Sequence, residues 1–91
     1  MCMPITGMAM TCKITEYSWE SGNITASGES VHIGGCACDF LPLGTIIYVN
    51  GIPYTVNDRI GEGKNSRHVD IWVDSTDEAN QWGVQYLDVE W

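Results

Sequence analysis

Ninety-one residues carry twelve Asp or Glu against four Lys or Arg, a net charge of −8 and a pI near 4.3. This describes one small acidic domain whose surface repels the phosphate backbone of nucleic acids. The longest apolar runs, such as Thr45 to Val49, fall far short of the ~20 residues that cross a membrane. Residues 1–10 lack the basic n-region and sustained apolar stretch of a secretory signal and read as an N-terminal extension.

From Met10 to Tyr17 the pattern is that of a strand, and Ser18 to Gly28, rich in Ser, Gly and Asn, reads as a loop. Val31 to Ile33 and Cys36 to Asp39 predict two short strands separated by Gly34 and Gly35. Leu41-Pro42-Leu43-Gly44 is a turn feeding the run Thr45 to Val49. Asn50-Gly51 is the strongest hairpin signal, because both residues tolerate positive φ, and Pro53 to Val56 is its return strand. Arg59 to His68 is a polar loop, and Val69 to Val73 resumes strand character. Ser75 followed by Glu78 fits a helix capping box and Gly83 a helix stop, which predicts one helix of about two turns. Gln85 to Val89 closes the chain as a strand. Short strands at close spacing with one short helix predict an all-β fold, a small closed barrel.

Cys2, Cys12, Cys36 and Cys38 suggest disulfides in an exported domain of this size, with three pairings open and at least one bond expected at Cys36 or Cys38. Cys36 and Cys38 share one face of their strand, since side chains alternate with period two. There is no Cys-x-x-Cys and no His pair at ligand spacing, so no metal is expected. His32 and His68 have no partner evident in the sequence.

Three aspartates lie at strand ends: Asp39 in Cys-Ala-Cys-Asp, Asp58 in Val-Asn-Asp and Asp70 in His-Val-Asp-Ile-Trp. Singly, each reads as an acceptor for backbone amides. Gathered at one groove, they would desolvate and crowd one another, which raises a carboxyl pKa toward the range used for proton transfer.

Thr25-Ala26-Ser27-Gly28, Ala37-Cys38-Asp39, Leu41-Pro42-Leu43-Gly44-Thr45, Val56-Asn57-Asp58, Lys64, Arg67, Val69-Asp70-Ile71-Trp72 and Glu78-Ala79-Asn80-Gln81-Trp82-Gly83 occur in this order. In order and spacing they resemble the three-aspartate (3D) domain. That domain closes the A-type membrane-bound lytic transglycosylases and forms the stationary-phase survival, resuscitation-factor-like proteins of Gram-positive bacteria. The resemblance covers residues 11–91 and implies a six-stranded double-psi β-barrel acting on peptidoglycan at the bacterial cell wall, secreted or phage-delivered. Phe40 stands where that family usually has proline, Asn57 where an acid often precedes the second aspartate, and His68 lengthens the loop before the third.

A lytic transglycosylase cleaves the MurNAc–GlcNAc bond with the muramyl 6-hydroxyl in place of water, leaving a 1,6-anhydromuramyl end. One carboxyl suffices, first as acid and then as base, and no cofactor is required. The resemblance implies Asp70 as this acid/base, Asp58 as the charge partner that raises its pKa, and Asp39 as the group that orders the site. Thr25 and Ser27 match its upstream motif and are candidates to line the groove. Lys64 and Arg67 can orient acetamido or peptide groups, and Trp72 and Trp82 can stack on sugar rings, although core packing is the commoner fate of such tryptophans. The alternatives are a non-catalytic glycan-binding barrel of the expansin type and a structural module of a cell envelope or virion, because fold does not fix function.

Overall fold

The computed structural model describes residues 7–18, 28 and 32–91. Six strands and one helix follow in order: β1 (Ala9–Tyr17), β2 (Gly35–Cys38), β3 (Ile46–Val49), β4 (Ile52–Asp58), β5 (His68–Trp72), α1 (Thr76–Trp82) and β6 (Gln85–Glu90). The strands close into a barrel in the order β1-β5-β2-β4-β3-β6. The pairs β1–β5 and β2–β4 are parallel and the other four antiparallel. Closure removes the free edges that an open sheet of this size would have to protect. No helix among the described residues is long and apolar enough to cross a membrane.

Alternation along each strand separates the core from the outer face. Cys12 and Ile14 of β1, Cys36 and Cys38 of β2, Ile47 and Val49 of β3, Val56 of β4, Val69 and Ile71 of β5 and Val89 of β6 are all buried in one cluster. Each buried Val or Ile contributes ~1.5–3 kcal/mol by leaving water. The intervening residues, among them Thr15, Ala37, His68 and Asp70, therefore share the outer face.

The expected disulfide at Cys36 or Cys38 is not formed. Cys12, Cys36 and Cys38 are free thiols, and Cys36 and Cys38 are opposite Ile71 and Val69 as small apolar fillers of the barrel. Burial, followed by the neighbouring Cys38, pushes the Cys12 thiol up to about 11 and the Cys36 thiol to about 12. Such thiols are poor nucleophiles. Cys2 lies outside the described residues.

The hairpin forms where Asn50-Gly51 predicts it, with φ of 53° and 78° and Val49 paired to Ile52 across a two-residue turn. Helix α1 is capped by Ser75, whose hydroxyl accepts from the Glu78 amide at 3.2 Å, and Trp82 fastens it to β1 by donating from Nε1 to the Ile14 carbonyl at 3.0 Å. The expected strand over 31–33 is absent at His32 and Ile33, which enter a turn instead; Val31 is outside the described residues. Phe40 packs edge-on against Trp91 with ring centroids 5.8 Å apart.

One irregularity sets the aim of an aspartate. Cys36 pairs with Val56, but the next residue, Ala37, pairs with Asp58, so Asn57 is an extra residue in β4. Asn57 is only 2% exposed, and a Cβ on Gly35 would come within 2.7 Å of its Nδ2. The bare Gly35 backbone thus leaves the space that Asn57 occupies. Gly35→Ala is expected to destabilise the protein by ~1–3 kcal/mol in urea denaturation, as overpacking does, and Asn57→Gly should relieve most of that cost in the double variant. Fully additive losses would show that the two residues do not compete for this space.

Candidate active site

Asp70 is the centre of a row that crosses four neighbouring strands. Thr15 of β1 pairs with Asp70 of β5, Asp70 with Ala37 of β2, and Ala37 with Asp58 of β4. Paired residues point to the same side of a sheet, so the two carboxyls flank Ala37, their α-carbons about 10 Å apart across two strand spacings. Ala37, between them, is small and only 3% exposed. Asp58 reaches this row only because of the bulge at Asn57, which turns it away from the core.

The environments of the aspartates differ. Asp70 is half-buried, and its Oδ1 accepts from the Thr15 hydroxyl at 2.8 Å. Burial raises its pKa, with the charges of Glu62 and Asp58 adding to the rise and the Thr15 hydrogen bond and His68 opposing it. Asp58 accepts from the Arg59 amide at 2.8 Å.

Asp39 takes no direct part in this row. Its Oδ1 accepts from the amides of Ile60 and Gly61 at 2.8 and 3.1 Å, and its Oδ2 from those of Glu62 and Gly63 at 2.5 and 2.9 Å. Burial works to raise its pKa, but the four amides outweigh it and hold the carboxyl below the usual range. Asp39 is the anchor of the loop that carries Glu62. Arg59 fastens the start of that loop, donating from Nη1 to the carbonyls of Cys38 and Leu41 at 2.8 and 2.5 Å.

That loop brings Glu62 to a histidine of β5. Glu62 Oε1 accepts from Ser66 Oγ at 2.8 Å and lies 3.1 Å from His68 Nδ1. His68 Nε2 lies 2.6 Å from Thr15 Oγ1, which in turn donates to Asp70. The spacing His-x-Asp placed His68 and Asp70 on one face of a strand, a signal available in the sequence. Thr15 was not legible, because its place beside them depends on the parallel pairing of β1 with β5, 53 residues away from His68 in the chain. Tyr17, two residues further along β1, was also missed; its hydroxyl is buried without a hydrogen-bond partner among the described residues. Burial, then the charges of Asp58 and Asp70, raise its pKa and keep it a donor.

The other expected site residues are dispersed. Lys64 and Arg67 are exposed and line a cleft with Met10, Phe40 and Asn65. Trp72, two residues beyond Asp70, lines a separate cavity with Glu16, Tyr54, Asp74 and Glu78, and its Nε1 is buried without a partner among the described residues. Trp82 packs against the core. Thr25 and Ser27 lie outside the described residues. His32 is exposed, its Nε2 3.3 Å from Asn57 Nδ2. No group of three or more His, Cys, Asp or Glu among the described residues could hold a metal ion.

Compared with known proteins, the chain matches no family model and no curated protein.

Two measurements check these environments. In Asp39→Asn, one carbonyl oxygen and one NH2 replace two acceptors facing four amides, so hydrogen exchange at residues 60–63 should quicken; unchanged protection would remove Asp39 as the anchor. Glu16 is pushed up to about 7 by burial, then by Glu78 and Asp70, from an ordinary value of 4.5. A raised folded-state pKa gives stability that is complete below the unfolded value and lost as pH rises through the folded one. Urea stability should therefore decline between pH 4.5 and about 7, and Glu16→Gln should flatten that decline.

Proposed function

We propose that this protein is a peptidoglycan lytic transglycosylase that cuts the MurNAc–GlcNAc bond and leaves a 1,6-anhydromuramyl product. The observation that carries this reading is the half-buried Asp70 carboxyl, with its raised pKa, in one row with Asp58. A carboxyl whose pKa is raised keeps its proton to higher pH and can protonate the leaving oxygen, and the resulting carboxylate can then take the proton of the 6-hydroxyl. Asp58 raises the pKa of Asp70 through its charge and offsets positive charge developing at the anomeric carbon. The order of the 3D-like motifs supports peptidoglycan as the polymer and the bacterial cell wall as the place of action, and the two parallel strand pairs support the double-psi form of the barrel. Trp72 is a stacking surface for a sugar ring, and Thr25, Ser27, Lys64 and Arg67 are further contacts for glycan or stem peptide.

Digestion of purified sacculi followed by mass spectrometry tests the reading through its anhydromuramyl products. Asp70→Asn keeps the size of the side chain and removes its transferable proton, so product release should fall by ~10²–10⁴-fold while sacculus binding persists. Asp58→Asn removes a like charge and should move the alkaline limb of the pH profile to lower pH, because Asp70 then loses its proton more readily. Wild-type protein that binds sacculi and releases no such product is a glycan-binding barrel instead.

A further inference from the structure

Glu62, His68, Thr15 and Asp70 form one continuous chain of hydrogen bonds, 3.1, 2.6 and 2.8 Å in turn. Thr15 has a single hydroxyl hydrogen with two acceptors to serve, so its direction is tied to the protons on both neighbours. With Asp70 Oδ1 unprotonated, Thr15 donates to it and must accept from Nε2–H of His68. Nδ1 then needs its own hydrogen, because it faces a Glu62 oxygen already accepting from Ser66. His68 is an imidazolium in that arrangement. With Oδ1 protonated, Asp70 donates to Thr15, Thr15 turns to a bare Nε2, and neutral His68 still donates from Nδ1 to Glu62. Both arrangements satisfy every bond in the chain, and they differ by the shift of one proton.

We propose that His68 and Asp70 share a proton through the Thr15 hydroxyl, making His68 the reservoir that refills the acid. In the transfer the Nε2–H bond breaks as a new Oγ1–H bond forms, and the original Thr15 O–H bond breaks as Oδ1–H forms; imidazolium and carboxylate are both neutralised. This rests on the reading of Asp70 as the acid/base. Its second oxygen, Oδ2, carries no hydrogen bond among the described residues and is left for substrate. When Oδ2 gives its proton to the leaving oxygen, the shared proton moves through Thr15 onto Oδ1; when Oδ2 then takes the proton of the 6-hydroxyl, the Oδ1–H bond breaks and that proton returns through Thr15 to Nε2, which restores the starting state.

The charged and titratable groups around the pair are Lys13, Glu16 and Tyr17 of β1, Cys36 of β2, Asp58 of β4 and Glu62. Asp58 and Glu62 push Asp70 toward taking the shared proton, while the bonds from Ser66 and His68 keep Glu62 itself below the usual carboxyl range. The parts are held from far apart in the chain. Asp39 pins the amide of Glu62, and strand pairing fixes Thr15 against Asp70.

Nitrogen-15 NMR of the His68 ring and carbon-13 NMR of the Asp70 carboxyl, followed across pH, test the relay without any substrate. In the wild type each signal should show the inflection of the other. Thr15→Val keeps the shape and removes the hydroxyl, so each group should show only its own step, with that of Asp70 moved to higher pH for want of a donor. Thr15→Ser should restore the joint titration. Independent titrations in the wild type, or joint titration persisting in Thr15→Val, would overturn the shared proton. With peptidoglycan, turnover should fall in Thr15→Val and recover in Thr15→Ser; undiminished turnover in a folded Thr15→Val protein would overturn the catalytic part. A wild-type protein that releases no anhydromuropeptide would end the lytic reading, while the NMR result would still decide the relay.

Discussion

The close fit of Asn57 beneath Gly35 is the constraint on which the rest of the site depends. Side chains alternate along a strand, so a regular β4 with Val56 in the core would turn Asp58 inward, two positions on. An uncompensated carboxylate cannot remain in that apolar interior. The extra residue breaks the alternation, and Asp58 emerges on the outer face beside Ala37, with β2 between it and Asp70. The bulge is possible because Gly35 has no side chain in the space Asn57 fills. Bulges commonly re-aim a side chain next to functional sites, and here the side chain re-aimed is an aspartate.

The same residue type is driven in opposite directions by its hydrogen bonds. Asp39 faces four backbone amides of one loop and is held as a carboxylate, although burial opposes this. Asp70 receives one hydroxyl, is more deeply enclosed, and has carboxylates for neighbours, so its charged form is disfavoured. One aspartate thereby anchors a loop as a carboxylate, and the other holds its proton more tightly. The two are linked through the loop itself, because the amides that hold Asp39 include that of Glu62, whose carboxylate meets His68.

The barrel supports this arrangement by keeping its interior apolar. The free cysteines occupy positions that valine or alanine could fill, and their thiols are held protonated by burial. Polar chemistry is confined to the outer faces of β1, β5, β2 and β4, where rigid strands hold the groups in register. Sites built on strands hold geometry more tightly than sites built on loops, and only Glu62 comes from a loop, one fastened by Asp39 and Arg59.

Local signals determined much of the fold. Period-two alternation marked the strands, Asn50-Gly51 the hairpin, and Ser75 with Glu78 and Gly83 the helix, because each of these depends on residues within a few positions of one another. Asp39 and Asp58 stood out at strand ends, Asp70 was expected at one and is instead the middle residue of β5, and His68 shares a face with Asp70 by spacing alone. Long-range pairing decided the rest. Thr15 becomes a bridge only when β1 lies parallel to β5, and Asp58 joins Asp70 only through β2 and a bulge whose register no local pattern reveals. Asp39 became an anchor rather than a third member of the row because the loop after β4 folds its amides back on it. The cysteines could have been cross-links by composition, and their inward aim within a closed barrel made them core. Propensity acts over a few residues, whereas the contacts that set protonation are between residues brought together only when the barrel closes.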